Sequence, residues 1–286
     1  MKGEIRFMTK LMDGACGSLL WAMAEERGIE RKPVWIYSIE QPELVRDMHL
    51  RYIAAGADMI QTNTFAVNRP SVSRSSGYST AEVIEAAVKC ARTAVEKYSE
   101  ENPGASLPEI YLSCGPLTRL LEPFGDVTKE ECEEYYDEIV SAAAAAGIET
   151  VAFETFMDIE MMKIAAAAAK KHGLKVLCSM TFEARHRTMM GNTVETICEE
   201  LEELGVDAVG MNCSKGPAPA AEIIKEYADT TKLPLYFKPN SGMGEHYDAS
   251  QFAAEVAPVL PLVSYIGSCC GSDETFTAEL KKLVMA

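Results

Sequence analysis

One unit recurs along the chain and limits what it can fold into: a helical stretch, a glycine, then a short apolar run. It reads YIAAGADMIQT at 52–62, AAAAAGIETVAFE at 142–154, AAKKHGLKVLCSMT at 168–181 and LEELGVDAVGMN at 201–212. A glycine just past a helix supplies the left-handed backbone of a C-cap, and the aliphatic run behind it has the make-up of a strand buried on both faces. Gly56, Gly147, Gly173 and Gly205 are therefore expected caps. Extending the pattern gives eight strands, at about 10–13, 57–62, 109–114, 148–154, 175–181, 207–212, 234–238 and 262–267, with helix-length segments between them. Ser79 with Glu82, and Thr128 with Glu131, have the spacing of reciprocal caps at helix starts. No Gly-x-Gly-x-x-Gly follows the first strand, so a closed (β/α)8 TIM barrel of the α/β class is expected over an open doubly wound sheet. Barrels of this kind run to this length as one domain, and residues 1–286 are read as one.

Composition narrows the partners. A formal charge of -16 opposes attraction to phosphate backbones or anionic lipid, so neither nucleic acid nor a membrane is expected. No run is long and apolar enough to span a bilayer, and the N-terminus MKGEIRFMTKLMDGACG lacks a signal-peptide core, so the chain is expected in the cytoplasm. Nine cysteines in such a chain point to metal or thiol chemistry before disulfides. Cys90, Cys132 and Cys198 fall in helical stretches, and Cys114 and Cys178 in strand-like runs, where free cysteine behaves as a small buried hydrophobe.

Catalysis in barrels sits at the C-terminal ends of the strands. Here those ends carry Asp13 and Gly14; Thr62, Asn63 and Thr64; Gly115 and Pro116; Glu154; Glu183; Asn212 and Cys213; Lys238 to Asn240; and Cys269 with Cys270. Three thiols thus converge on the ends of strands six and eight. Soft thiolates suit zinc, and three protein ligands leave a fourth position open, as a catalytic rather than structural zinc requires. The plainer reading has two cysteines packed in a strand end and a third elsewhere. Gly267 and Gly271 bracket the pair, as a backbone bent to aim two sulfurs together would require. Cys16 lies near the same mouth but is not expected as a fourth ligand, which would close the site. Lys238 reads as an ion-paired rim residue or, for an aldolase-like enzyme, a Schiff-base lysine. The stretch 68–80, NRPSVSRSSGYST, reads as a loop or lid over the active-site face, or as plain surface.

In order, LMDGACGS (11–18), GADMIQTNTF (56–65), CGPL (114–117), FET (153–155), GMNCS (210–214) and GSCCG (267–271) resemble the homocysteine S-methyltransferase family over nearly the whole chain. The resemblance implies Cys213, Cys269 and Cys270 as ligands of Zn2+ that activates homocysteine or a similar small thiol for methylation to methionine. It also implies that Asp13, Gly14 and Glu154 meet the amino acid, with Asn63 close by. Two departures are small: Asp-Gly-Ala-Met-Gly-Thr reads Asp-Gly-Ala-Cys-Gly-Ser, and Gly-Gly before the cysteine pair reads Gly267-Ser268. Gln61 stands where many relatives carry glutamate. Nothing resembles a cobalamin-binding domain, so a methylcorrinoid or methylfolate-linked donor would come on a separate corrinoid protein; S-methylmethionine or betaine is the alternative donor. A reading of another class is a non-catalytic zinc- or thiol-binding barrel subunit, which predicts a fourth protein ligand.

Overall fold

The computed structural model describes residues 9–241 and 247–286, so residues 1–8 and 242–246 of the expected 1–286 domain lie outside it. The chain alternates strand and helix throughout. Its strands are β1 (Lys10–Leu11), β2 (Met59–Gln61), β3 (Glu109–Cys114), β4 (Thr150–Phe156), β5 (Lys175–Met180), β6 (Ala208–Cys213), β7 (Leu235–Pro239) and β8 (Tyr265–Ile266). All pair in parallel, β2 through β8 in chain order and β8 with β1. A Met12–Met59 bridge between β1 and β2 completes the circuit, so the chain is a (β/α)8 barrel. Strand boundaries differ from the sequence reading by up to three residues, largely because several expected strands begin before the first ladder residue, as at 57–58, 148–149 and 262–264.

The helices start and stop for local reasons. Ser79 and Thr128 each exchange side-chain and backbone hydrogen bonds with Glu82 and Glu131, the reciprocal caps that their spacing predicts. Gly56, Gly147, Gly173 and Gly205 all adopt left-handed backbone, at φ 95°, 74°, 72° and 68°. The stretch 68–80 is not irregular throughout: Arg69–Ser75 is a short helix, with Asn68 Oδ1 accepting from Ser71 N at 3.0 Å and Pro70 in the first turn, where its missing N–H costs nothing.

Inside the barrel, one side chain from each strand or its immediate end forms a packed cluster: Met12, Met59, Tyr111, Ala152, Leu177, Ala208, Tyr236 and Tyr265. Alanines on β4 and β6 leave room for the tyrosines on β3, β7 and β8, so small and large side chains share the interior. The larger core lies between sheet and helices. There Tyr136, Phe153 and Phe156 pack with ring centroids 5.9–6.0 Å apart, and truncating a ring so buried costs about 3–5 kcal/mol. Cys90, Cys114, Cys132, Cys178 and Cys198 are buried in this packing, as small hydrophobes should be. Among the described residues no helix is long and apolar enough to cross a membrane.

Candidate functional site

The last strands deliver three thiols to one point. Cys213 ends β6 in left-handed backbone, φ 56°, followed by Ser214 at φ 57°, so the chain turns sharply as it leaves the sheet. Asn212, just before it, anchors that turn. Its Oδ1 accepts from Thr155 N and from Ser179 Oγ, both at 2.7 Å, and its Nδ2 donates to Thr155 Oγ1 at 2.7 Å. Cys269 and Cys270 follow β8. Cys269 N–H donates to Pro239 O at 2.9 Å, Ser272 Oγ donates to Cys269 O at 2.8 Å, and Gly271 turns at φ 90°. Gly267 leaves no space for a side chain, since a Cβ there would stand 2.8 Å from Asp13 O. The glycines that bracket the cysteine pair are thus explained by a bend at one and a close approach at the other.

Cys213 Sγ lies 3.2 Å from Cys269 Sγ and 3.5 Å from Cys270 Sγ, and the three sulfurs lie within 4.8 Å of one another. A tetrahedral zinc with Zn–S bonds of about 2.3 Å has S···S edges of about 3.8 Å, so the set suits such an ion with small adjustments. Among the described residues no fourth His, Cys, Asp or Glu joins the group. Cys16 instead donates to Asn63 Oδ1 at 3.4 Å, and burial pushes its thiol far above the usual range. Contact with Cys269 and Cys270, together with burial, likewise drives Cys213 up, while hydrogen bonds from Cys213 and Cys269 pull Cys270 down. Three soft sulfurs held this close together form a donor set that suits a cation.

Beside the thiols lies a buried charge network. Asp13 and Glu154, at the ends of β1 and β4, are both almost fully enclosed. Asp13 Oδ2 accepts from Gln61 N at 2.8 Å and its Oδ1 from Tyr111 Oη at 3.1 Å. Glu154 accepts from Ser113 Oγ at 3.1 Å and from Tyr236 Oη. Lys238, on β7, reaches between them, with Nζ 3.5 Å from each carboxylate and 3.0 Å from Tyr111 Oη. Burial alone would lower the lysine, but Glu154 and Asp13 more than offset it and hold the ammonium protonated. A Schiff-base lysine needs the opposite shift. Nor is Lys238 a rim residue, because its side chain is only 3% exposed. Burial raises Asp13 to about 6, with Lys238 and the Gln61 N–H acting against it.

Gly14 and Asn63 occupy the same end of the barrel. A Cβ at Gly14 would meet Ser272 Oγ at 2.7 Å and Tyr52 Oη at 2.9 Å, so only glycine fits there. Its carbonyl accepts from Gln61 Nε2 at 2.6 Å, a bond that the ionised glutamate of many relatives is unable to donate. Asn63 donates to Val34 O at 2.7 Å and to Ser38 Oγ at 3.1 Å, tying the loop after β2 to the segment around 34–38. Tyr111, Tyr236 and Ser113 did not stand out in the sequence. Their alternation with outward-facing neighbours on β3 and β7 is the signal that they point into the barrel.

The model of the homocysteine S-methyltransferase family matches residues 10–284. Methionine synthases from Mycobacterium leprae and Mycobacterium tuberculosis are 25% and 26% identical over 95% of this chain. The chain spans about a quarter of the length of these curated relatives, 24% in each case. Among solved structures, the metallated form of the homocysteine methyltransferase MmuM from Escherichia coli superposes with a TM-score of 0.82 at 24% identity, covering 96% of each chain. Its apo form gives 0.78 at the same identity, a likeness of fold. Because the family match runs from the first strand of the barrel to its last helix, the chain belongs to the homocysteine S-methyltransferase family and is a methyltransferase.

Proposed function

We propose that this methyltransferase methylates homocysteine to methionine, or a similar small thiol to its methyl thioether, with zinc held by Cys213, Cys269 and Cys270. The observation that carries the reading is the convergence of those three sulfurs without a fourth protein ligand among the described residues. When bound, zinc would strip the proton from a ligating thiol and hold it as the thiolate at neutral pH. Three thiols alone would leave room beside them for the substrate sulfur, which a fourth protein ligand, as in a non-catalytic metal-binding subunit, would take. Asp13 and Glu154 take the substrate ammonium, Gly14 lets the ligand approach the backbone of the first turn, and Asn63 fixes the neighbouring loop. The substrate sulfur then attacks the methyl carbon in line, and the donor leaves with the electron pair of the broken bond. No general base acts at that moment, so the protein's contribution is to position two reactants, which removes much of the entropic barrier.

The donor in this proposal is a methylcorrinoid or methylfolate-linked system on a separate protein, a reading supported by the likeness to methionine synthases much longer than this chain. S-methylmethionine or betaine, arriving by diffusion, is the second reading. It is supported by the end-to-end match to the homocysteine methyltransferase MmuM, a chain of similar extent. Residues 1–286 act as one catalytic unit in either case, and nine free cysteines accord with a cytoplasmic setting. The test is metal content and X-ray absorption on wild type and Cys269→Ser, with and without homocysteine. One zinc with three sulfurs, gaining a fourth on homocysteine addition and lost in the variant, is expected. No zinc, or a four-ligand site indifferent to homocysteine, would overturn the proposal.

A further inference from the structure

Among the described residues, two buried carboxylates and one buried ammonium leave the mouth of the barrel one cation short. Asp13 and Glu154 come from β1 and β4, far apart in the strand order, yet Lys238 Nζ stands 3.5 Å from Asp13 Oδ1 and 3.5 Å from Glu154 Oε1. Charge-assisted contacts of this kind normally close to about 2.7–2.9 Å, so the lysine draws on both acids without saturating either. Its one close partner among the described residues is a neutral oxygen, Tyr111 Oη at 3.0 Å. Neutral donors hold the carboxylates from behind: Gln61 N–H and Tyr111 on Asp13, Ser113 and Tyr236 on Glu154. Without a shared cation, two acids drawn to one point repel, and one of them takes up a proton.

We infer that Lys238 is a positioning residue for the substrate's ammonium. By sharing one positive charge between Asp13 and Glu154 it keeps both ionised and converging, and leaves one buried negative charge that a ligand cation neutralises. The site therefore favours α-amino thiols over plain thiols of the same length, and Lys238 sets that preference without being consumed in the reaction. The inference rests on the proposal above, in which homocysteine binds with its sulfur at the cysteines and its ammonium at the acids.

Calorimetric titration of the zinc-loaded protein tests it, using homocysteine and mercaptobutyrate, which keeps the thiol and the carboxylate and lacks the ammonium. Wild type is compared with Lys238→Met, and with Lys238→Gln, which retains donors toward Tyr111 should the methionine variant not fold. Differences in thiol acidity between the two ligands cancel in the comparison of proteins. In wild type, deleting the ammonium weakens binding roughly tenfold or more, the value of a hydrogen bond to a charged group. In the variants the penalty falls below about threefold with zinc retained, on the same scale. An equal penalty in all three proteins would make Lys238 a structural counter-ion only. A larger penalty in the variants would make it a competitor of the ammonium; either result overturns the inference while leaving the homocysteine reading intact. If wild type itself does not prefer homocysteine, that reading fails and takes the inference with it.

Discussion

Gly210 lies on β6 three residues before Cys213 and offers the sharpest test of how the sheet aims the thiols. A Cβ there would stand 1.9 Å from Tyr236 O on β7, with Tyr236 C and N at 2.8 and 2.9 Å. An ordinary carbon–oxygen contact is near 3.3 Å, so Gly210→Ala must push β6 and β7 apart by about 1.4 Å. The obstacle is backbone on both sides, which no side-chain rotation relieves. Two ladder bonds flank the site, worth about 1 kcal/mol each, and overpacking adds about 1–3 kcal/mol. The expected loss is therefore about 3–5 kcal/mol, with a melting temperature lower by on the order of 10 °C. The same movement displaces Cys213 from Cys269 and Cys270, so zinc content should fall along with stability. Urea unfolding and atomic absorption measure the two effects on the same samples. A variant within about 1 kcal/mol of wild type that still holds one zinc would refute the account, because the strands would then have yielded without cost.

Two further outcomes follow from the site. Removing the Asn212 side chain strips partners from Thr155 N and Ser179 Oγ; Asn212→Ala should cost about 2–3 kcal/mol in urea unfolding, and Asn212→Asp, which keeps both acceptors, should recover part of it. Burial raises Asp13 to about 6, so the acid is largely neutral below that pH and ionised above it. Affinity of the zinc-loaded protein for methionine, which has an ammonium but no thiol proton to release, should rise with pH through about 6 and then level off. Calorimetry across that range checks it, and a flat profile, or one unchanged in Asp13→Asn, would sink the assignment of Asp13 to the ammonium.

The barrel was legible because its punctuation is local. A glycine at 147 or 205 reports a left-handed cap whatever the rest of the chain does, and Ser79 with Glu82 needs only three intervening bonds of helix to pair. The thiols were legible for a related reason, since a strand end is a position on a known rim. Lys238 was not. Its place on β7 could be counted, but whether its side chain runs outward to solvent or inward to Asp13 and Glu154 depends on closure of the sheet, which brings residues 225 positions apart together. The helix at Arg69–Ser75 went unseen although Asn68 and Pro70 mark its start, because the serines around it carry the composition of a loop.

The eight-strand circuit is not equally stitched all the way round. β6 and β7 share five register pairs beside Cys213, whereas β1 meets β2 through the single Met12–Met59 bridge. Much of the remaining seam is laced by side chains: Leu11 N–H donates to Asp58 Oδ2 at 2.9 Å, and Gln61 N–H to Asp13 Oδ2 at 2.8 Å. Amide hydrogens along that seam should exchange with solvent sooner than those of β6 and β7, since fewer ladder bonds must open together. The mouth is thus unevenly held: Cys213 leaves its stiffest ladder, whereas Asp13 and Gly14, and the Cys269–Cys270 pair beyond β8 with its two register pairs to each neighbour, stand on strands that give more readily as a ligand enters.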